Sequence, residues 1–260
     1  MAREASLIIR GGTLVDGTGA APYEADIAIG DGRILEIGKI SARAAEEIDA
    51  KGLIVTPGFV DIHTHYDAQA TWSSRLLSSS INGVTTALLG NCGVGFAPCR
   101  PERRDMLVKL MEGVEDLPEV VLTEGLPWNW ESFPEYMDAL DARPYDMDVA
   151  AMVTHAPLRV HVMGEAAEAH AVATPEQCAE MARLTAEGLA AGALGFSTSR
   201  AIAHRTLDGR HIPTLGTPEE ELETIARAIR AQGSGWMQVI SDFDDPEDEF
   251  ARLQRIAAAS

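Results

Sequence analysis

Residues 58–67 read Gly-Phe-Val-Asp-Ile-His-Thr-His-Tyr-Asp, an apolar run that turns polar towards its end. This pattern predicts a buried β-strand whose C-terminal end opens into a functional site. Because side chains alternate along a strand, Asp61, His63 and His65 are expected to share one face. Two imidazoles on one face can bind one cation, and histidine is the commonest metal ligand. The alternative is a pair of polar histidines at a strand end without a metal.

The composition is that of a globular protein and argues against several classes of partner. Of the 260 residues, 46% are hydrophobic and 23% are charged, and the net charge is −19. Such an acidic chain is not expected to bind nucleic acid or an anionic membrane surface. No apolar run approaches the roughly 20 residues of a membrane-spanning helix, and the N-terminus lacks the pattern of a signal peptide. We therefore expect a cytoplasmic protein.

The first 56 residues or so consist of short apolar segments separated by glycine-bearing turns. Asp16-Gly17 and Asp31-Gly32 each lie between two such segments. Asp-Gly in this position is a strong hairpin signal, so a small antiparallel, β-sandwich-like domain is predicted over residues 1–57.

After Pro57 the pattern changes to strand-then-helix units, and a second domain is predicted over residues 58–260. Sequences typical of capping boxes at Thr174–Gln177 and Thr217–Glu220 predict two helix starts. Strands are expected at 58–67, 83–90, 147–153, 193–196 and 236–240, with a further helix at about 101–114. Alternation of this kind predicts an α/β fold, a (β/α)8 TIM-like barrel truncated after about five of its eight strands. An open doubly wound sheet is the alternative, but the Gly-x-Gly-x-x-Gly of a dinucleotide site is missing.

Polar side chains follow four consecutive predicted strands, at the strand ends where barrel enzymes have their active sites. These residues are His63, His65 and Asp67, then Asn91 and Cys92, then His155, then Ser197 to Arg200. This arrangement favours a metal site over chance placement. A thiolate near two imidazoles is a good zinc ligand, whereas the alternative for Cys92 is a small buried thiol.

Four residues are candidates for contact with a substrate: His155, Ser199, Arg200 and His204. Arg200 could form a bidentate pair with a substrate carboxylate, and the alternative is a solvated loop arginine. The other cysteines, Cys99 and Cys178, are expected to be structural or incidental. The remaining histidines, His161, His170 and His211, are expected to lie in loops or on the surface.

With these motifs the chain resembles the amidohydrolase superfamily and, within it, the N-terminal half of the N-acyl-D-amino-acid deacylase (D-aminoacylase) group. The segments that carry the resemblance are residues 11–19, 57–67, 83–86, 90–93 and 192–198. The resemblance implies a zinc-dependent hydrolase that cleaves the amide bond of N-acyl-D-amino acids with a metal-activated water. It implies that His63 and His65 are metal ligands and that Cys92 binds or bridges zinc.

Two departures from the group stand out. The group normally has a histidine ligand at the end of strand five, yet residues 236–242 contain no histidine, and Gln238 or Asp242 is expected in that neighbourhood. The strand-six histidine and the general-base aspartate of the group are expected beyond Ser260. One alternative is a cyclic amidase of the same superfamily, of the dihydroorotase or hydantoinase kind. A second alternative, motivated by the end of the sequence at Ser260, is an inactive metal-binding fragment, or a subunit that forms an oligomer or needs a complementing chain.

Overall fold

The structure is a computed structural model that describes residues 4–259. It divides into two compact units, and the chain passes from the first to the second between Phe59 and Val60. The sequence predicts this boundary between residues 57 and 58.

The first unit is a five-stranded sheet. Its strands are β1 (Leu7–Leu14), β2 (Tyr23–Gly30), β3 (Arg33–Gly38), β4 (Glu46–Asp49) and β5 (Ile54–Val55). Strands β1, β2 and β3 are antiparallel neighbours, but β4 and β5 both pair with β1 in the parallel direction. The prediction of a purely antiparallel sheet is therefore wrong for its last two strands. Tight turns set the direction of adjacent hairpin strands, whereas β4 reaches β1 through a longer connection that such turns do not govern.

In the second unit strands alternate with helices along most of the chain, as predicted. Its strands are β6 (Phe59–Asp61), β7 (Val84–Leu89), β8 (Asp148–Ala151), β9 (Val153–Thr154), β10 (Gly195–Arg200) and β11 (Trp236–Ser241). They form two three-stranded sheets in the orders β6-β7-β8 and β11-β10-β9, and Met152 alone separates β8 from β9 along the chain. Closure into a (β/α)8 barrel stays a prediction.

Ten α-helices are present among the described residues of the second unit. They are α1 (Gln69–Trp72), α2 (Leu77–Ser80), α3 (Arg104–Glu115), which a 3-10 turn at Pro101–Arg103 precedes, α4 (Glu119–Gly125), α5 (Phe133–Asp141), α6 (His155–Met163), α7 (Glu165–Glu168), α8 (Pro175–Ala190), α9 (Glu219–Gln232) and α10 (Pro246–Ala259). Their apolar faces and the buried strands form one large core. Among residues 4–259, none of the helices has the length and apolar character needed to cross a membrane.

Only one of the two predicted capping boxes forms. Thr174 accepts from the backbone of Gln177 and begins α8, which confirms the prediction. At the start of α9 the Thr217 hydroxyl donates instead to the Thr214 carbonyl, so the second prediction is wrong. The N-cap position of α9 is taken by Pro218, whose side chain has no acceptor for the first N–H groups of the helix.

Two strands differ from the prediction in ways that affect the site. Strand β6 is exposed rather than buried, since Phe59 and Val60 are 65% and 62% exposed, and Ile62 just after the strand is 69% exposed. It lies at the edge of its sheet, so only one side of the strand is paired. Strand β10 extends to Arg200, and Ser197 to Arg200 therefore lie within the strand and not after it.

Candidate metal centre

The three predicted metal ligands lie together in the second unit. One donor atom from each of His63, His65 and Cys92 lies within 4.8 Å of the other two. His63 Nε2 is 3.2 Å from Cys92 Sγ, and the two imidazole centroids are 5.5 Å apart. The structure thus gathers two nitrogen donors and one sulfur donor around a single point, which is a donor set that suits Zn²⁺.

The two histidines are positioned by the residue between them. Strand β6 ends at Asp61, and the His63 N–H donates to the Asp61 carboxylate at 3.2 Å. Thr64 is buried, and both its N–H and its hydroxyl donate to the Leu88 carbonyl of β7, at 3.2 and 2.9 Å. With Thr64 fixed against β7, the flanking imidazoles face away from it towards the loop that follows β7.

Cys92 lies in that loop, at a backbone conformation that few non-glycine residues adopt. Its φ is +56°, and Gly90 and Gly93 beside it have φ values of +77° and +69°. A Cβ at Gly90 would lie 2.4 Å from the Met152 carbonyl oxygen, and one at Gly93 would lie 2.8 Å from Thr198 Cα. Both glycines are therefore required by close packing as well as by φ. This geometry explains why the segment Gly90-Asn91-Cys92-Gly93 has glycine at its first and last positions.

Burial keeps two of the donor groups, Cys92 and His65, neutral. It raises the pKa of the Cys92 thiol to about 12, with a further contribution from the charges of Glu115 and Asp67. It lowers the pKa of His65 to about 4, helped by the charges of His63 and His204. Neutral imidazole is the form that binds a metal, and a divalent cation would reverse the effect on the thiol and hold it as thiolate.

Unsatisfied polar atoms beside these donors fit a metal site. His65 Nδ1 and Asp67 Oδ2 are buried and have no hydrogen-bond partner among the described residues. Most buried polar atoms in proteins are bonded, so such orphans call for an ion or a water. His65 Nε2 lies 3.1 Å from a Glu115 carboxylate oxygen. A histidine with one nitrogen on a carboxylate and the other free has the arrangement of a metal ligand held by an outer partner.

Glu115 is a residue of this site that the sequence does not reveal. It is the last residue of α3, and no motif marks it. Burial raises its pKa to about 7, with a smaller effect from the charge of Asp116. Burial also raises the pKa of Asp67 to about 7. A carboxylate at a helix end shows its role only when the fold brings that end to the site.

Of the four predicted substrate residues, the structure brings Ser199 and His204 together. The Ser199 hydroxyl is 2.7 Å from His204 Nδ1. Burial lowers the pKa of His204, although the charge of Asp242 opposes this. The predicted role of both residues in substrate contact stays a prediction.

The structure places His155 and Arg200 differently from the expectation that they face a substrate. His155 is fully buried, with Nδ1 2.8 Å from the Thr198 hydroxyl and Nε2 2.7 Å from the Glu221 carboxylate. Arg200 Nε donates to the Glu249 carboxylate at 2.7 Å. Helices α9 and α10 supply these acidic partners, and both basic side chains are engaged within the protein.

Gln238 also reaches the site. Its amide nitrogen donates to Asn91 Oδ1 at 2.7 Å, and its amide oxygen accepts from the Cys92 N–H at 3.3 Å. The other residue considered for this neighbourhood, Asp242, accepts instead from the Ile202 N–H.

Comparison with known proteins gives this geometry a family context. Residues 46–260 match the amidohydrolase family. The D-aminoacylase of Alcaligenes xylosoxydans xylosoxydans is 35% identical over 228 residues, which are 87% of this chain and 42% of that protein.

Two solved structures give the same picture. A D-aminoacylase described for the functional role of its binuclear metal centre has a TM-score of 0.79 and 29% identity, and the match covers 98% of this chain and 49% of that one. The N-acyl-D-glutamate deacylase of Bordetella bronchiseptica, in complex with zinc and a phosphonate inhibitor, has a TM-score of 0.74 and 30% identity, with coverage of 97% and 49%. The chain therefore spans less than half the length of these relatives.

Proposed function

This chain belongs to the amidohydrolase family, and from that premise we propose that it provides the metal site of a hydrolase that cleaves the amide bond of N-acyl-D-amino acids. The observation that carries the proposal is the approach of His63, His65 and Cys92 donor atoms within 4.8 Å of one another. The two relatives with named substrates or inhibitors, D-aminoacylase and N-acyl-D-glutamate deacylase, support the same class of reaction.

The metal proposed for the site is Zn²⁺. Two imidazole nitrogens and one thiolate sulfur are ligands that zinc favours, and the related N-acyl-D-glutamate deacylase was solved with zinc. When bound, zinc supplies Lewis-acid chemistry that lowers the pKa of a water molecule and polarises a carbonyl group.

The side chains of this chain have separate tasks in that reaction. With the metal bound, His63 and His65 would provide nitrogen donors and Cys92 would provide a thiolate, and Glu115 would orient the His65 ring through its Nε2. Ser199 and His204 are proposed to contact the acyl amino acid. In the overall reaction water adds to the acyl carbon, the C–N bond breaks, and the leaving nitrogen takes a proton. We assign no residue of this chain as the general base.

Metal analysis tests the site directly. In Cys92→Ala and His63→Ala proteins, zinc affinity is expected to fall by at least about 100-fold, since even outer partners of a metal ligand contribute about 10- to 100-fold. Cys178→Ala is the matched control, because Cys178 is a half-buried thiol in α8 outside the cluster, and its zinc content is expected to equal that of the wild type. Unchanged zinc in the Cys92 variant would show that the site is misassigned.

A substrate panel tests the reaction class. N-acetyl-D-amino acids, their L-enantiomers and a hydantoin would each be incubated with the zinc-loaded protein, and any turnover is expected with the D-series alone. Turnover of the hydantoin alone would replace the proposal with a cyclic amidase. Size-exclusion chromatography of the same sample shows whether activity belongs to a monomer or to an oligomeric or complemented form.

A further inference from the structure

Gln238 lies on the strand where the resemblance to the deacylase group implies a histidine ligand, yet both ends of its side chain are bound to protein groups. It lies on β11 opposite Ser197 of β10. Its nitrogen donates to Asn91 Oδ1, and its oxygen accepts from the Cys92 N–H. A carboxamide nitrogen is a donor only, so the oxygen is the one atom that could bind a metal.

Two backbone carbonyls fix which way the amides point. Asn91 Nδ2 donates to the Thr64 carbonyl at 2.9 Å and to the Leu88 carbonyl at 2.8 Å. Because carbonyl oxygens only accept, the nitrogen of Asn91 must face them, and its oxygen must face Gln238. Gln238 therefore presents its nitrogen to Asn91 and has its oxygen left for Cys92. Turning either amide over would set like groups against each other.

The same loop is held by Ser197 on the neighbouring strand. Its hydroxyl donates to the Gly90 carbonyl and accepts from the Gly93 N–H. Four consecutive residues, 90–93, are thus each bound by Ser197 or Gln238. If the Gln238 oxygen turned to a metal, the N–H of the buried Cys92 would lose its acceptor, which is costly.

We propose that Gln238 is a positioning residue: it holds the Cys92 turn through its carboxamide so that Sγ faces His63 Nε2, and it does not bind the metal. The statement that Gln238 does not bind the metal rests on the proposed function. The hold of Gln238 on the Cys92 turn is a property of the metal-free chain as well. Without Gln238 the left-handed Cys92 turn opens more often and its thiol becomes more accessible.

The test compares Gln238→Leu with Gln254→Leu in the full chain. Leucine removes both hydrogen bonds and cannot bind a metal, and Gln254 is an exposed residue of α10 that carries the same substitution. In the metal-free proteins, the rate of Cys92 alkylation by iodoacetamide is measured by peptide mass spectrometry, with Cys178 as internal reference. Gln238→Leu is expected to raise the Cys92 rate about tenfold, and Gln254→Leu is expected to leave it unchanged.

The Co²⁺-loaded proteins give a second readout. The thiolate-to-Co²⁺ charge-transfer absorption is expected to weaken, and the Co²⁺ affinity to fall about tenfold, in Gln238→Leu but not in Gln254→Leu. Gln238→Glu keeps the size of the side chain and an acceptor for the Cys92 N–H, but it cannot donate to Asn91. Its effect on alkylation is expected to be smaller than that of leucine, with no gain in Co²⁺ affinity.

The outcomes separate the two proposals. Unchanged Cys92 alkylation in Gln238→Leu, or tighter Co²⁺ binding by Gln238→Glu, would overturn the positioning role and make residue 238 a ligand position. Absence of a thiolate band in the wild-type protein would overturn the metal site, while the alkylation rates would still decide the role of Gln238. Thermal unfolding of each variant shows that a folded protein is being compared.

Discussion

The histidine segment (residues 59–65) and the cysteine loop (residues 90–99) form the two sides of the candidate metal centre and are built in opposite ways. The histidine segment begins in a three-residue edge strand, and its apolar residues are more than half exposed. Every residue of the cysteine loop is buried, although the loop has no helix or strand. An exposed segment can satisfy its backbone with water, whereas a buried loop needs a protein partner for each polar group.

The partners of the cysteine loop come from many places in the second unit. The Gly93 carbonyl accepts from the Ala156 N–H of α6, and the Phe96 carbonyl accepts from the Trp130 indole. The Cys99 N–H donates to the Glu131 carbonyl at 2.7 Å. His63 therefore has few contacts with the rest of the protein, whereas Cys92 is held in place by the core. Substitutions should therefore affect stability very differently on the two sides.

The largest loss is expected behind the cysteine loop, where Glu221 pairs with Arg159 and His155 in the interior. Burial lowers the pKa of His155, so its Nε2–H donates to Glu221 and its Nδ1 accepts from the Thr198 hydroxyl. Glu221→Gln leaves the buried Arg159 charge without its counter-charge. Chemical denaturation should show a loss of about 3–5 kcal/mol. The control is Glu220→Gln, the exposed neighbour on α9, with a change within about 0.5 kcal/mol.

The same pair gives a pH dependence. Burial opposes ionisation of Glu221, but the hydrogen bonds from His155 and Arg159 and the charge of Arg159 outweigh it and hold the pKa of the carboxyl below its ordinary value. Its contribution to stability is therefore present above its ordinary pKa and is lost as the pH falls through the lower, folded-state value. The stability difference between wild type and Glu221→Gln should shrink on the acid side of neutral pH. A constant difference down to strongly acidic pH would contradict an ionised Glu221.

The next effect is expected at Gly93. Alanine there would adopt a left-handed φ, which costs about 1–2 kcal/mol, and would overlap β10 at Thr198, which costs about 1–3 kcal/mol. We expect a loss of about 3 kcal/mol in unfolding free energy. Gly209→Ala is the matched control, since Gly209 has φ +83° and open space around it, and only the left-handed cost of about 1 kcal/mol should appear. Equal losses at the two glycines would mean that the loop does not pack closely on β10.

Ser197→Ala should have a smaller effect. It removes the donor to the Gly90 carbonyl and the acceptor of the Gly93 N–H, both in the interior. Leaving such groups unpaired costs about 1–3 kcal/mol, and we expect about 2 kcal/mol in denaturant titrations. Ser78→Ala, at an exposed hydroxyl, should change stability by less than about 0.5 kcal/mol. If both serine variants were equally stable, Ser197 would not be a support of the loop.

The residues that hold the cysteine loop show which features of the fold and of the site can be predicted from the sequence. The histidine pair was predictable because its signal is local, and the α/β unit was predictable because helix caps and buried strands recur along the chain. The supports of the cysteine loop are not local: Ser197 is 104 positions from Gly93, and Gln238 is 146 positions from Cys92. Gln238 could be noticed only as a departure from a family pattern, and Glu115 had no pattern at all. The exposure of β6 was also unpredictable, because an apolar strand sequence does not tell which of its sides is paired.

The smallest effect on stability is expected at His63, on the other side of the centre. His63 is exposed, and its side chain contacts Cys92 Sγ through Nε2 at 3.2 Å and the His65 ring, whose centroid is 5.5 Å away. In metal-free protein, His63→Ala should change the unfolding free energy by less than about 0.5 kcal/mol, as is usual for surface substitutions. With zinc present, the wild type gains stability in proportion to the logarithm of zinc over its dissociation constant, and the variant should lose that gain. Denaturation of both proteins with and without zinc measures the two terms separately. A loss of several kcal/mol in the metal-free variant would mean that the histidine segment is as firmly built into the core as the cysteine loop.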